Sequence, residues 1–105
     1  MVSEQIIQQA VELLRQAANP RRIILFGSYA RGQADDRSDV DLMVIEGPAP
    51  DVMSEMVRLR RVLSPLRIPV DVLVVSETDF DYWCDTPGTV MHEAAREGRV
   101  VYEAA

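Results

Sequence analysis

Three short apolar runs constrain most strongly what this chain can fold into. They occupy residues 23–26, 40–45 and 68–75. Runs of this length that are rich in branched side chains predict buried β-strands. Gly27 closes the first run, whereas Asp41 and Asp71 interrupt the second and third near their beginnings. A lone charge in such a strand is costly unless it is paired or bound to a metal, so these carboxylates are the first candidates for a functional site.

The direction of the strands decides whether these residues meet. Side chains at positions i and i+2 of a strand point to the same face, so Asp39 and Asp41 are expected to project together. If the first strand runs antiparallel to the second, and the third parallel to it, Gly27 and Asp71 join them at one edge of the sheet. The segment between the second and third strands contains a predicted helix, which is the connection that a parallel pair requires. We therefore expect three carboxylates to converge beside a glycine turn.

That arrangement suits metal-assisted phosphoryl or nucleotidyl transfer. Carboxylate oxygens are preferred ligands of Mg²⁺, which is usually held by one or two carboxylates together with substrate phosphates. Two ions about 3.5–4 Å apart would stabilise the attacking and leaving oxygens together. Gly27 lets a phosphate approach the backbone closely, and Ser28 offers an N–H and a hydroxyl. If a short helix begins near residue 29, its N-terminus adds further N–H donors for an anion.

The combined pattern resembles that of the DNA polymerase β-like nucleotidyltransferase superfamily, and more closely that of minimal nucleotidyltransferase (MNT) proteins such as MntA-type antitoxins. The residues that carry the resemblance are Gly27, Ser28, Gly32, Asp39, Asp41 and Asp71. It covers nearly the whole chain, since those proteins are about this long. The resemblance implies an α/β (α+β) fold with a mixed β-sheet flanked by helices. It also implies a single minimal nucleotidyltransferase domain over residues 1–105.

The same resemblance implies a role for each residue. The catalytic and metal-binding residues would be Asp39, Asp41 and Asp71. The residues that hold the outer phosphates of the nucleotide would be Gly27 and Ser28, with Arg31 as a further phosphate contact. Asp71 would ligate one metal ion and help to deprotonate the attacking hydroxyl. The cofactor would be Mg²⁺, as two ions, and the substrate ATP.

The implied reaction transfers AMP from ATP to a hydroxyl and releases pyrophosphate. Larger members of the superfamily carry extra domains for the acceptor, so in this chain a separate protein is expected to supply it. The resemblance implies a HEPN-domain toxin, whose tyrosine the MNT antitoxin adenylylates. One alternative is a non-catalytic antitoxin that neutralises its partner by binding alone. Another is a transferase for a small molecule such as an antibiotic, since an acidic surface attracts cationic substrates.

Composition excludes several other classes. The 105 residues are 48% hydrophobic, without an apolar run near 18 residues or an export signal, so we expect one cytoplasmic domain that does not cross a membrane. A net charge of −6 argues against broad nucleic-acid binding. All eleven basic residues are arginine, which excludes a lysyl-nucleotide intermediate and a P-loop. Cys84 is the single cysteine, so an internal disulfide is impossible. The sequence is compatible with a homo-oligomer and with a hetero-oligomer.

The remaining elements are predicted from capping residues and helical spacing. A first helix is expected from Ser3 to Ala18, with a buried face formed by Ile6, Ala10, Leu13 and Ala17. Further helices are expected over residues 51–63 and 77–83, and a last one is expected to open at Thr86-Pro87 and end at Gly98. Residues 99–102 are interpreted as a final strand. Arg58, Arg60 and Arg61 of the 51–63 helix are interpreted as a solvated face, with contact to an acidic partner as the alternative.

Overall fold

The structure, a computed structural model, describes residues 1–48 and 51–105. Its helices are α1 (Glu4–Ala18), α2 (Ser28–Arg31), α3 (Val52–Leu63), α4 (Glu77–Trp83) and α5 (Val90–Glu97), and its strands are β1 (Arg22–Phe26), β2 (Val40–Glu46), β3 (Val70–Ser76) and β4 (Arg99–Glu103). A 3₁₀ turn, Ser64–Leu66, follows α3 and was not predicted. The expected turn between β2 and α3 includes Ala49 and Pro50, which lie outside the described residues.

The four strands form one mixed sheet in the order β3-β2-β1-β4. Strand β1 pairs antiparallel with β2 and with β4, whereas β2 and β3 are parallel and are connected through α3. The last strand of the chain therefore lies beside the first. The predicted fold class, a mixed sheet flanked by helices, is confirmed.

Helices cover both faces of the sheet, so the core has two parts. On one face α1 and α3 pack on alternate strand residues such as Leu25, Leu42 and Val72. On the other face α4 and α5 pack through Phe80 and Ala94 onto the remaining alternate residues, which are Ile24, Phe26, Met43 and Ile45. The sheet residues are apolar on both faces because both faces are covered, and this explains why the runs read as continuous apolar segments.

Helix α1 has the predicted bounds but a different buried face. Ser3 caps it by accepting a hydrogen bond from the N–H of Ile6 at 3.2 Å, as expected. The buried residues are Ile7, Ala10 and Leu14, so the predicted face containing Ile6 and Leu13 was wrong by one residue at two of its positions. The pairs Ile6-Ile7 and Leu13-Leu14 each offer an apolar residue at helical spacing, and only packing against the sheet decides between them.

The start of α5 also differs from the prediction. The cap is Thr89, whose hydroxyl accepts a hydrogen bond from the N–H of His92 at 3.1 Å, and not Thr86. Gly88 precedes it with φ +90°, a conformation that a proline-led helix opening at Thr86-Pro87 does not allow. The end at Gly98 and the final strand are as predicted. Within the described residues no helix is long and apolar enough to cross a membrane.

One acidic residue of the sheet is poorly compensated. Glu46 ends β2 beside Glu55 of α3, and its Oε2 is buried without a hydrogen-bond partner. Burial, followed by the neighbouring Glu55, raises the pKa of Glu46 to about 7. Because the pKa in the folded state lies above the ordinary value of 4.5, the stabilisation is fully present below about pH 4.5 and is lost as the pH rises through about 7.

We therefore expect Glu46→Gln to raise the melting temperature at pH 8 and to leave it nearly unchanged at pH 4.5. After allowance for solvent screening of this half-buried group, the gain at pH 8 is on the order of 1 kcal/mol. Thermal unfolding of both proteins at the two pH values measures it. An equal effect of the substitution at pH 4.5 and pH 8 would contradict the assignment.

Candidate active site

The register of the sheet places the predicted residues at one end of three adjacent strands. Phe26 of β1 is opposite Asp41 of β2, and Asp41 is opposite Asp71 of β3. Gly27 directly follows Phe26, and Asp39 lies two residues before Asp41. Residues that face each other on neighbouring strands are about 4.8 Å apart and share a face of the sheet. The structure thus has the predicted strand directions, which place Gly27, Asp41 and Asp71 at one end of the sheet, with Asp39 just before β2.

Gly27 fits against the central carboxylate as only glycine can. Its φ is +73°, in a region that residues with a Cβ rarely adopt, and a Cβ there would overlap Oδ2 of Asp41. The carbonyl of Gly27 accepts hydrogen bonds from the N–H groups of Ala30 and Arg31, both at 3.1 Å, which form the first turn of α2. The tight strand-to-helix turn therefore brings backbone directly onto Asp41.

Asp41 is the electrostatic centre of this group. Burial of its carboxyl raises the pKa of Asp41, and the negative charges of Asp71, Asp39 and Glu93 raise this pKa further. Arg31 acts in the opposite direction. The local charge is therefore strongly negative, and a cation placed among these groups would relieve the repulsion.

Asp71 is held by a cation from the same chain. Its Oδ1 accepts a hydrogen bond of 2.6 Å from Nη2 of Arg60 in α3, and the same nitrogen donates to the carbonyl oxygen of Val72 at 3.2 Å. The side chains of Asp71 and Arg60 are both about half-exposed, at 49% and 47%. Asp71 lies on an edge strand, so it is more open to solvent than its position in an apolar run suggests.

Arg31 points to α5. Its Nη1 lies 3.5 Å from a carboxylate oxygen of Glu93 and 3.4 Å from one of Glu97, and its Nε donates to the side-chain oxygen of Gln33. Sequence reasoning did not single out Glu93, although its spacing of four residues from Glu97 puts both on one face of α5. The structure therefore adds Glu93 and Arg60 to the surroundings of the predicted site.

The donor set suits a hard divalent cation, although the side chains are not gathered around one. Among residues 1–48 and 51–105, no group of three Asp, Glu, His or Cys side chains is close enough to hold a metal ion together. Carboxylate oxygens on adjacent strands are nevertheless the type of ligand that Mg²⁺ and Mn²⁺ prefer, and neighbouring negative charges raise the pKa of Asp41 further. The residues therefore fit such an ion.

Comparison with known proteins defines the class. The family model "Polymerase beta, Nucleotidyltransferase" matches residues 8–105. The chain belongs to this nucleotidyltransferase family, and the resemblance inferred from the motif is confirmed.

Two relatives from Methanocaldococcus jannaschii carry the name "Putative protein adenylyltransferase". One, MJ0604, is 29% identical over 104 residues, which cover 97% of this chain and 100% of the relative. The other, MJ0141, is 38% identical over 53 residues, which cover 50% of this chain and 52% of the relative. The second match therefore spans about half the length of that relative.

Solved structures with the same fold include two toxin–antitoxin assemblies. A toxin–antitoxin crystal structure with AMP-PNP superposes with a TM-score of 0.67 at 24% identity, covering 98% of this chain and 75% of that one. A complex of a tri-AMPylated Shewanella oneidensis HEPN toxin with an MNT antitoxin gives a TM-score of 0.63 at 20% identity, covering 96% and 72%. At these identities the likeness shows a shared fold.

Proposed function

We propose that this chain is a Mg²⁺-dependent nucleotidyltransferase that transfers AMP from ATP to a hydroxyl of a partner protein and thereby acts as an antitoxin. The observation that carries the proposal is the register Phe26–Asp41–Asp71, with Gly27 packed on Asp41. Membership of the nucleotidyltransferase family and the two relatives named as protein adenylyltransferases support the reaction and the protein acceptor.

Each residue has a role in this proposal. Asp39, Asp41 and Asp71 would hold Mg²⁺, which when bound neutralises charge on the phosphates and on the attacking and leaving oxygens. The backbone at Gly27 and Ser28 binds the outer phosphates, so that the pyrophosphate is held as it leaves. Arg31 would reach a phosphate by exchanging its weak contacts with Glu93 and Glu97, which are solvent-exposed and long.

The chemical step is an in-line displacement at the α-phosphorus. The acceptor hydroxyl oxygen forms a bond to phosphorus, the bond from phosphorus to the bridging oxygen of the β-phosphate breaks, and pyrophosphate leaves. Asp71 takes the proton of the hydroxyl. Arg60 occupies one oxygen of Asp71, Oδ1, and a carboxylate has a second oxygen that can accept this proton.

The proposed partner is a HEPN-domain toxin, modified on a tyrosine. The support is the fold shared with an MNT antitoxin bound to a tri-AMPylated HEPN toxin. In keeping with this, the structure has exposed apolar side chains that a second protein could cover, including Met53, Val57 and Tyr82. A cytoplasmic location is part of the proposal and stays a prediction.

We expect incubation with a HEPN-domain protein from the same genome, ATP and Mg²⁺ to add about 329 Da per event to that protein, the mass of one AMP residue. Intact-mass spectrometry of both chains measures this. The Asp39→Asn/Asp41→Asn variant, which loses two proposed ligands at nearly constant volume, should add no mass.

The same experiment separates catalysis from binding. If the partner's mass stays unchanged while its toxicity is suppressed equally well by the wild type and by Asp39→Asn/Asp41→Asn, the chain is a non-catalytic antitoxin. Repulsion among the carboxylates of the site destabilises the fold, and a protein that only binds its partner would have no use for such an arrangement.

A further inference from the structure

The strongest contact between a candidate site carboxylate and another element involves Arg60. Helix α3 runs back along the sheet between the parallel strands β2 and β3, so its last turns lie at the end of the sheet where both strands begin. Arg60 lies in those turns and reaches Asp71 at 2.6 Å. The contact joins residues 11 positions apart in the chain, and it therefore depends on the βαβ connection and not on local helix geometry.

The geometry of this contact is more specific than that of an ordinary surface ion pair. One guanidinium nitrogen, Nη2, donates both to Asp71 Oδ1 and to the carbonyl oxygen of Val72, the next residue of β3. The backbone carbonyl anchors the guanidinium against the strand, and the anchored guanidinium then fixes one oxygen of Asp71. An ion pair between two flexible side chains, without such a backbone anchor, would lose more conformational entropy for the same bond.

Arg60 also compensates part of the negative charge of the site. Asp41 and Asp71 are opposite each other on adjacent strands, so their negative charges repel each other. A cation therefore stabilises these two facing carboxylates in the metal-free protein. Arg60 supplies it at Asp71, on the edge-strand side of the pair.

We propose that Arg60 is a positioning residue of this site, a resident counter-cation that orients Asp71 and weakens its hold on a divalent metal. The inference rests on the proposed function, because it assumes that Asp71 is a ligand. The positive charge of Arg60 repels an incoming metal ion. Metal binding therefore depends on the extra negative charge that a nucleotide brings. Metal and nucleotide then bind together rather than one after the other.

The test is the affinity for Mn²⁺, measured by electron paramagnetic resonance with and without AMP-PNP. Arg60→Gln removes the repelling charge, so we expect Mn²⁺ to bind about three- to tenfold more tightly while the metal-free protein melts a few degrees lower. Arg60→Lys keeps the charge and should stay within about twofold of the wild-type affinity. A purely structural residue would give weaker metal binding together with the lower melting temperature.

A matched control lies on the same helix. Arg58 is similarly exposed and pairs with Glu55, away from the three aspartates, so Arg58→Gln makes the same change of charge and should leave Mn²⁺ affinity unchanged. If Arg60→Gln is too unstable, Arg60→Met keeps the apolar stem and carries the same expectation. Wild-type affinity or weaker binding in Arg60→Gln and in Arg60→Met would overturn the inference alone. Failure of the wild type to bind Mn²⁺ with AMP-PNP would overturn the proposed function as well.

Discussion

Asp71→Asn is expected to slow AMP transfer to the partner by a factor of about 10² or more, the usual scale for loss of a general base. Binding of ATP should be largely kept, because in the proposed site the turn at Gly27 and Ser28 holds the outer phosphates and because Asp39 and Asp41 are intact. The amide of asparagine has almost the same volume and can still accept a hydrogen bond from Arg60. The change therefore removes a proton acceptor and a charge with little change in packing.

The measurement is the rate at which partner mass increases by single AMP units, at saturating ATP. The matched control is Asp81→Asn, an exposed aspartate of α4 that makes the same chemical change. An unaltered rate in Asp71→Asn would remove Asp71 from the mechanism. A rate loss caused only by weaker ATP binding, which more ATP restores, would reassign Asp71 to binding.

Gly27→Ala is expected to abolish most of the stabilisation that Mg²⁺ and ATP give together. In the wild type, both ligands together should raise the melting temperature more than either alone, because the positive metal ion and the negative phosphates stabilise each other in the site. An alanine Cβ would overlap Oδ2 of Asp41 and would also sit at φ +73°. Either Asp41 or the turn must move, so the carboxylate and the backbone proposed to bind phosphate are no longer in contact.

The matched control for Gly27→Ala is Gly88→Ala. Gly88 has φ +90°, and a Cβ there would lie in open space. Both substitutions carry the backbone strain of about 1–2 kcal/mol, but only that at Gly27 adds an overlap with Asp41. Thermal unfolding with and without the two ligands separates these effects. An equal ligand-induced shift in the two variants would show that Gly27 does not shape the site.

The pairing of Asp41 with Asp71 could be predicted because it depends on local rules. The helix between β2 and β3 implies a parallel pair, which places Asp71 opposite Asp41. Asp39 lies just before β2, and its part in the site stays a prediction. Glu93 and Arg60 could not be found this way. Both belong to helices, and which face of a helix meets the sheet end depends on how it packs, as the one-residue error in the buried face of α1 also shows.

Capping signals were informative where one residue stood alone and misleading where two competed. Ser3 precedes α1 with no rival nearby and caps it as predicted, and Ser76 caps the predicted helix α4 by accepting a hydrogen bond from the N–H of Asp79. At α5, Thr86-Pro87 and Thr89 offer two starts only three residues apart. The structure uses the second, since Gly88 turns the chain immediately before it.

The placement of β4 beside β1 has a consequence for synthesis of the protein. Until residues 99–103 have left the ribosome, β1 has an unpaired edge whose side chains, Ile23 to Phe26, are almost wholly apolar. An unpaired apolar edge is the form of a chain most prone to pair with other molecules. Nascent and C-terminally truncated chains therefore expose the edge of β1, which pairs with the five-residue strand β4 in the folded protein.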